Sequence, residues 1–181
     1  GSISGDIEGS DNTVDLSESG TANSYIVSES GSYSFSPTKG NSSESVGAIS
    51  SVDVLWETFG TNETPSVGSL ISSVSYADGK ISFSTPQSYS EGNAVIAAKD
   101  ANGTILWSWH IWFTDQPQGQ VYYNDAGTVM DRNLGATSAM TWDVGAQGLL
   151  YQWGRKDPFL CSGINSTNIW PSVVLSDSSK G

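Results

Sequence analysis

A chain of 181 residues with 14% charged side chains and a net charge of -12 can hold one large domain or two small ones. Its acidity disfavours a phosphate backbone or an anionic membrane surface as partner, because no local basic patch offsets it. A single cysteine, Cys161, excludes an intrachain disulfide, a four-cysteine zinc site and a CxxC redox pair, so stability has to come from packing.

The acid is unevenly spread: residues 1–115 carry fourteen acidic and three basic side chains, residues 116–181 five and four. With 20 Gly, abundant Ser and Thr and 10% aromatics, the make-up is that of a secreted β protein. No apolar run is long enough to span a bilayer. Residues 1–12, GSISGDIEGSDN, read as a flexible leader. They lack the basic region and apolar stretch of an export signal, so a signal segment is absent from this chain.

From Thr13 onward, short strands alternate with specific turn chemistry. Residues 23–27 and 32–35 place Tyr25 and Val27, then Tyr33 and Phe35, at alternate positions, with Glu29, Ser30 and Gly31 between them. The pattern predicts a hairpin. Residues 52–58 predict a strand with Val52, Val54 and Trp56 on one side. Residues 70–76 and 80–84 flank Asp78-Gly79, a pair suited to a type I′ hairpin turn because both central positions need positive φ. A third hairpin is predicted from 94–99 and 104–113 around Asn102-Gly103, and the unbroken apolar run at 94–98 suits a central strand covered on both faces. About seven strands at this spacing, without a convincing helix, argue for an all-β fold, an immunoglobulin-like β-sandwich over 13–115.

Along the last of these strands, Ile105, Trp107, Trp109, Ile111 and Phe113 point one way and Leu106, Ser108, His110 and Trp112 the other. The first row reads as core. Trp112 is a candidate platform for stacking a sugar ring, weighed against the commoner packing role of such residues. His110, the only histidine, cannot build a multi-histidine metal site and reads as a structural residue with satisfied ring nitrogens.

Composition shifts after Asp115, and residues 116–119 mark a boundary. A short hairpin is expected from 121–123 and 128–132, followed by a loop over 139–148. Arg132 beside Asp131, and Arg155 near Asp157, invite a ligand-clamp reading, since a guanidinium grips a carboxylate at two points. Intradomain ion pairing is the competing reading. Trp142, Trp153 and Trp170 stand in this Gly-rich part, where one or two could contact a glycan while the others pack.

Two segments, MDRNLGA at 130–136 and GLLYQWGRKDPF at 148–159, resemble the opening of the FISUMP-type module, or major paralogous domain, of fimbrillin-like and adhesin-like surface proteins of Bacteroidetes-type bacteria. The stretches DLSESGTANSYIV at 15–27, GNAVIAA at 92–98 and the strand 107–113 are similar to the module that precedes it there. The resemblance covers about residues 13–160. It implies a cell-surface or fimbrial location and an adhesive or pilus-associated role, and it transfers no catalytic residue. Such modules resemble C-type-lectin or formylglycine-enzyme-like folds and continue past YQWGRKDPF through a Cys-Pro-x-Gly-Trp-x-x-Pro-type segment that this sequence lacks. Residues 116–181 are therefore expected to be a partial, loop-rich FISUMP-like module.

No GxSxG elbow, P-loop, HExxH or dinucleotide-binding GxGxxG occurs. Asp100 to Gly103 carries too few ligands for a calcium loop. Asp53, Glu57 and Glu63 could serve a glycosidase only if two of them faced one cleft. The expectation is a protein that is not an enzyme, without cofactor or metal. It would work as an accessory or tip subunit of a fimbria, through contacts with other surface proteins or with host or dietary glycans, because the leader offers only Ile3 and Ile7 as anchors for strand donation. The alternative is a carbohydrate-binding module of a secreted glycan-utilisation protein. Neither reading involves nucleic acid or a membrane span.

Overall fold

A computed structural model of the protein describes residues 12–66 and 68–160. The expected leader over 1–12, apart from Asn12, lies outside the described residues, as does Trp170. Eight strands build the first section: β1 (Val14–Asp15), β2 (Ser24–Val27), β3 (Ser32–Phe35), β4 (Ser51–Thr58), β5 (Ser73–Ala77), β6 (Lys80–Ser84), β7 (Gly92–Lys99) and β8 (Ile105–Phe113). They form two four-stranded sheets, ordered β1-β3-β6-β5 and β2-β8-β7-β4, arranged as a sandwich. Among the described residues no helix is long and apolar enough to cross a membrane.

The two hairpins with dedicated turn residues form as expected. Asp78 and Gly79 both take positive φ, 51° and 76°, and join β5 to β6 in antiparallel register from Ala77↔Lys80 to Ser73↔Ser84. Gly103 at φ 80° closes the connection between β7 and β8, which pair antiparallel along their length. The β7 strand is buried over seven of its eight residues, because each of its faces is covered.

The first expected hairpin does not form. Strand β2 pairs in parallel with β8, from Ser24↔His110 to Val27↔Phe113, whereas β3 pairs with β6 in the other sheet. The two strands face each other across the sandwich. Alternation alone cannot distinguish a hairpin from a crossing between sheets, since both bury the same positions. Tyr25 and Phe35 accordingly meet across the core, ring centres 5.1 Å apart and tilted by 34°, and Phe35 meets Trp109 at 5.3 Å. With Ile81, Phe83, Ile96, Ile111 and Phe113 they make the main core.

Strand β4 departs from strict alternation at Leu55, where a bulge shifts the pairing from Val54↔Ile96 to Trp56↔Val95. The extra residue reverses the faces beyond it. Val52 and Val54 pack on the sandwich core, but Trp56 turns to the opposite face, into a second cluster with Val95 and Leu149. The reading that placed Val52, Val54 and Trp56 on one side is corrected on this point.

The section after Asp115 contains a short antiparallel hairpin, β9 (Gly119–Val121) with β10 (Thr128–Met130), and a 3-10 turn at Val144–Gln147. The remainder through residue 160 is irregular, and much of it lies across the outer face of the β2-β8-β7-β4 sheet. Gly135, at φ 79°, sits where any Cβ would come within 2.5 Å of the Leu149 side chain. Its lack of a side chain lets this loop close onto the sheet.

Candidate functional site

The outer face of β7 and β8 carries Asn93, Ser108, His110 and Trp112, all buried. Each is matched by a group from another segment. Asn93 Nδ2 donates to Gly135 O at 2.8 Å, and Trp112 Nε1 donates to Ala136 O at 3.0 Å. Ser108 Oγ donates to Asp157 Oδ2 at 2.7 Å, while Lys156 Nζ donates to Ser108 O at 2.7 Å and pairs with the Asp157 carboxylate. Polar groups removed from water require such partners, so this row fixes where residues 133–160 lie on the sheet.

His110 is held on both sides: Nε2 lies 2.8 Å from Asn93 Oδ1 and Nδ1 lies 2.9 Å from Ser24 Oγ. Burial pushes its pKa down to about 3, with Lys156 adding repulsion. Ser24, His110 and Asn93 stand in the order of a nucleophile, base and orienting group. An imidazole this reluctant to accept a proton is a weak base, however, and an amide offers no charge to stabilise an imidazolium. The set acts as a brace joining edge strand β2 to the centre of the sheet.

Trp112 is 2% exposed, which corrects its reading as a sugar-stacking platform: residues of the second section cover the face on which it stands. Arg132 is likewise turned inward. Its Nε and Nη2 reach the two Asp131 oxygens at 2.8 and 3.0 Å, and Nη1 bonds Thr114 Oγ1 at 3.0 Å and pairs with Asp115. Hydrogen bonds from this guanidinium, first to Asp131 and then to Asp115, raise its own pKa and hold both carboxyls below their ordinary range. The two-point grip is therefore spent on the chain's own carboxylates. Arg155 stacks on Phe159, its guanidinium carbon 3.8 Å from the ring centre, and Asp157 is engaged by Lys156 and Ser108.

The three acids considered for glycoside hydrolysis do not share a cleft. Glu57 is buried, its carboxylate accepting from Leu70 N at 3.2 Å and Ile71 N at 3.1 Å. Burial nevertheless raises its pKa. Asp53 lies on the other face of β4 and pairs with Lys99 at 2.8 Å. Glu63 lines a separate shallow depression with Glu91, Phe59 and Thr137. Among the described residues no group of three metal-ligating side chains comes together.

What the second section leaves uncovered is aromatic and aliphatic. Among the described residues, Val14 and Tyr76 apart, every large apolar side chain that is exposed lies between Val121 and Phe159. Tyr123 at 99%, Trp142 at 82% and Trp153 at 100% are open to solvent. Trp142 lines a depression of about 360 Å³ together with Thr141, Asp143, Val144, Ala146 and Gln147. Of the candidates named from sequence, Trp142 is thus presented outward, while Trp112 and Arg132 are held within the protein. Sequence reasoning did not single out Tyr123, nor Asn93 as the partner of His110. The latter was signalled by one polar residue heading an apolar run in a strand paired with the histidine's own.

Comparison of the chain with protein-family models, with curated proteins and with solved structures finds no match.

Proposed function

We propose that this is a non-catalytic cell-surface adhesion protein, a fimbria-associated accessory or tip subunit acting through protein or glycan contacts. The sandwich serves as scaffold and the section after Asp115 as the contact face. The observation that carries this reading is that, among the described residues, the exposed large apolar side chains other than Val14 and Tyr76 gather in residues 121–159, because patches of this kind on soluble proteins mark interaction surfaces. The immunoglobulin-like reading is supported by the sheet orders, which follow the A-B-E-D and G-F-C arrangement with an added edge strand parallel to the last. The reading of residues 116–181 as a partial FISUMP-like, C-type-lectin-like module rests on the two motifs and on how little core its described residues, 116–160, have apart from the sheet they cover.

The test is adhesion. Beads coated with the chain should attach to epithelial or bacterial cell layers, and the triple variant Tyr123→Ser, Trp142→Ser, Trp153→Ser should lose most of that attachment while keeping its unfolding midpoint. Equal attachment by both proteins would remove the reading. An immunoblot of surface fractions, with and without boiling, would separate a polymer-forming subunit, seen as a heat-sensitive ladder, from a single larger adhesin. A carbohydrate-binding module is the second reading, favoured by the outward indoles of Trp142 and Trp153.

A further inference from the structure

The Trp142 depression combines an apolar plane with polar groups that have work to spare. It is lined by half-buried Val144 and Ala146 and by exposed Thr141, Trp142, Asp143 and Gln147. The indole is 82% exposed, so one broad face is available to a ligand. Asp143 uses one carboxylate oxygen, Oδ1, to accept from Gly145 N at 2.9 Å, which fixes the carboxylate and leaves Oδ2 without a partner among the described residues. Gln147 is exposed and follows Ala146, whose carbonyl accepts from Asn133 Nδ2 at 3.1 Å. A flat aromatic face beside a fixed carboxylate and a carboxamide suits a pyranose: the ring's C–H face stacks, and neighbouring hydroxyls donate to the carboxylate and accept from the amide.

Charge narrows the class further. The described cations after residue 116 are Arg132, Arg155 and Lys156, and each is committed elsewhere: Arg132 to Asp131 and Asp115, Arg155 to the Phe159 ring, Lys156 to Asp157 and Ser108. None is offered to an acidic sugar, and Asp143 would repel one. We infer that the depression at Trp142 is a subsite for one residue of a neutral glycan, stacked on the indole and hydrogen-bonded by Asp143 and Gln147, and closed to uronic and sialic acids. This rests on the contact-face reading and gives it a ligand class.

The experiment is calorimetric titration of the whole chain with neutral probes, namely gluco-, manno- and xylo-oligosaccharides, and with acidic ones, oligogalacturonate and sialyllactose. At least one neutral probe should bind saturably and quench tryptophan fluorescence. Trp142→Ala should weaken it by about tenfold or more, equivalent to 1.4 kcal/mol. Asp143→Asn, which keeps the capping oxygen, should weaken it several-fold, and Tyr76→Ala, an exposed aromatic on the sandwich outside the contact face, should leave it unchanged. Preference for an acidic probe, or undiminished binding by Trp142→Ala, overturns the assignment. So does failure of every probe to bind, and in that case the bead assay still decides the contact face independently, since protein ligands would preserve attachment.

Discussion

The Nε2 of His110 lies 2.8 Å from Asn93 Oδ1, and this contact sets the tautomer of the only histidine. Asn93 Nδ2 is already donating to Gly135 O, so its carbonyl oxygen faces the ring and Nε2 must carry the proton. Nδ1 is then an acceptor, and Ser24 Oγ supplies its hydrogen. Three segments distant in sequence are joined through one neutral imidazole.

That neutrality makes stability depend on pH. The folded state holds His110 near 3 against an ordinary 6.5, so between these values the unfolded chain binds a proton that the folded chain refuses. Stability is fully present above about pH 6.5 and falls as pH drops toward 3, by up to roughly 4 kcal/mol. Glu57, whose carboxyl is raised, works in the opposite sense as it protonates first in the folded state. Denaturant midpoints at intervals from pH 7 to 4, compared between the parent and His110→Phe, isolate the histidine: the parent should show the steeper decline.

Trp112 should behave as a core residue. Trp112→Ala should cost about 3 to 5 kcal/mol, through lost packing and the orphaned Ala136 carbonyl, while Trp142→Ala should stay within about 0.5 kcal/mol. Chemical denaturation of the two variants side by side provides the check, and similar losses would mean that the second section does not cover the sheet.

Arg132→Ala removes the tie between the end of β8 and the β9-β10 hairpin. It should cost about 1 to 3 kcal/mol, and Arg132→Lys should recover only part because an ammonium cannot make the fork. Limited proteolysis should cut first within residues 116–131 in the alanine variant, and an unchanged cleavage pattern would show that the tie is dispensable.

Glu57→Ala leaves the Leu70 and Ile71 amides without their acceptor inside the protein. The expected cost is about 2 to 4 kcal/mol, against less than about 0.5 for Asp53→Ala, whose partner is a surface lysine. Thermal unfolding of both variants tests the contrast. Equal shifts would mean that water replaces the carboxylate at those amides.

The sequence made the strands legible wherever the turn itself demands particular residues. Asp78-Gly79 and Asn102-Gly103 dictate local backbone conformation, so their hairpins could be read directly. The partner of β2 could not, because burial of Tyr25 and Val27 is satisfied equally by a hairpin with β3 or by a place across the sandwich. Leu55 was hidden for a related reason: the apolar spacing at 52, 54 and 56 continues through the bulge, and only the partner strand reveals that the face has changed. The surroundings of Trp112 depended on residues more than twenty positions later, which no local periodicity encodes. Trp142 was legible as a candidate, yet its depression arises from a 3-10 turn that lacks a long-period signal.

The parallel pairing of β2 with β8 also determines how the sandwich carries load. The chain enters β2 at Ser24 and leaves β8 beyond Phe113, at opposite ends of the paired stretch. Tension between those two points pulls the strands lengthwise past each other, so their hydrogen bonds share the force at once instead of opening one after another. A protein tethered at one end of this sandwich and gripped at the other would resist extension in shear, the geometry suited to a link held under flow.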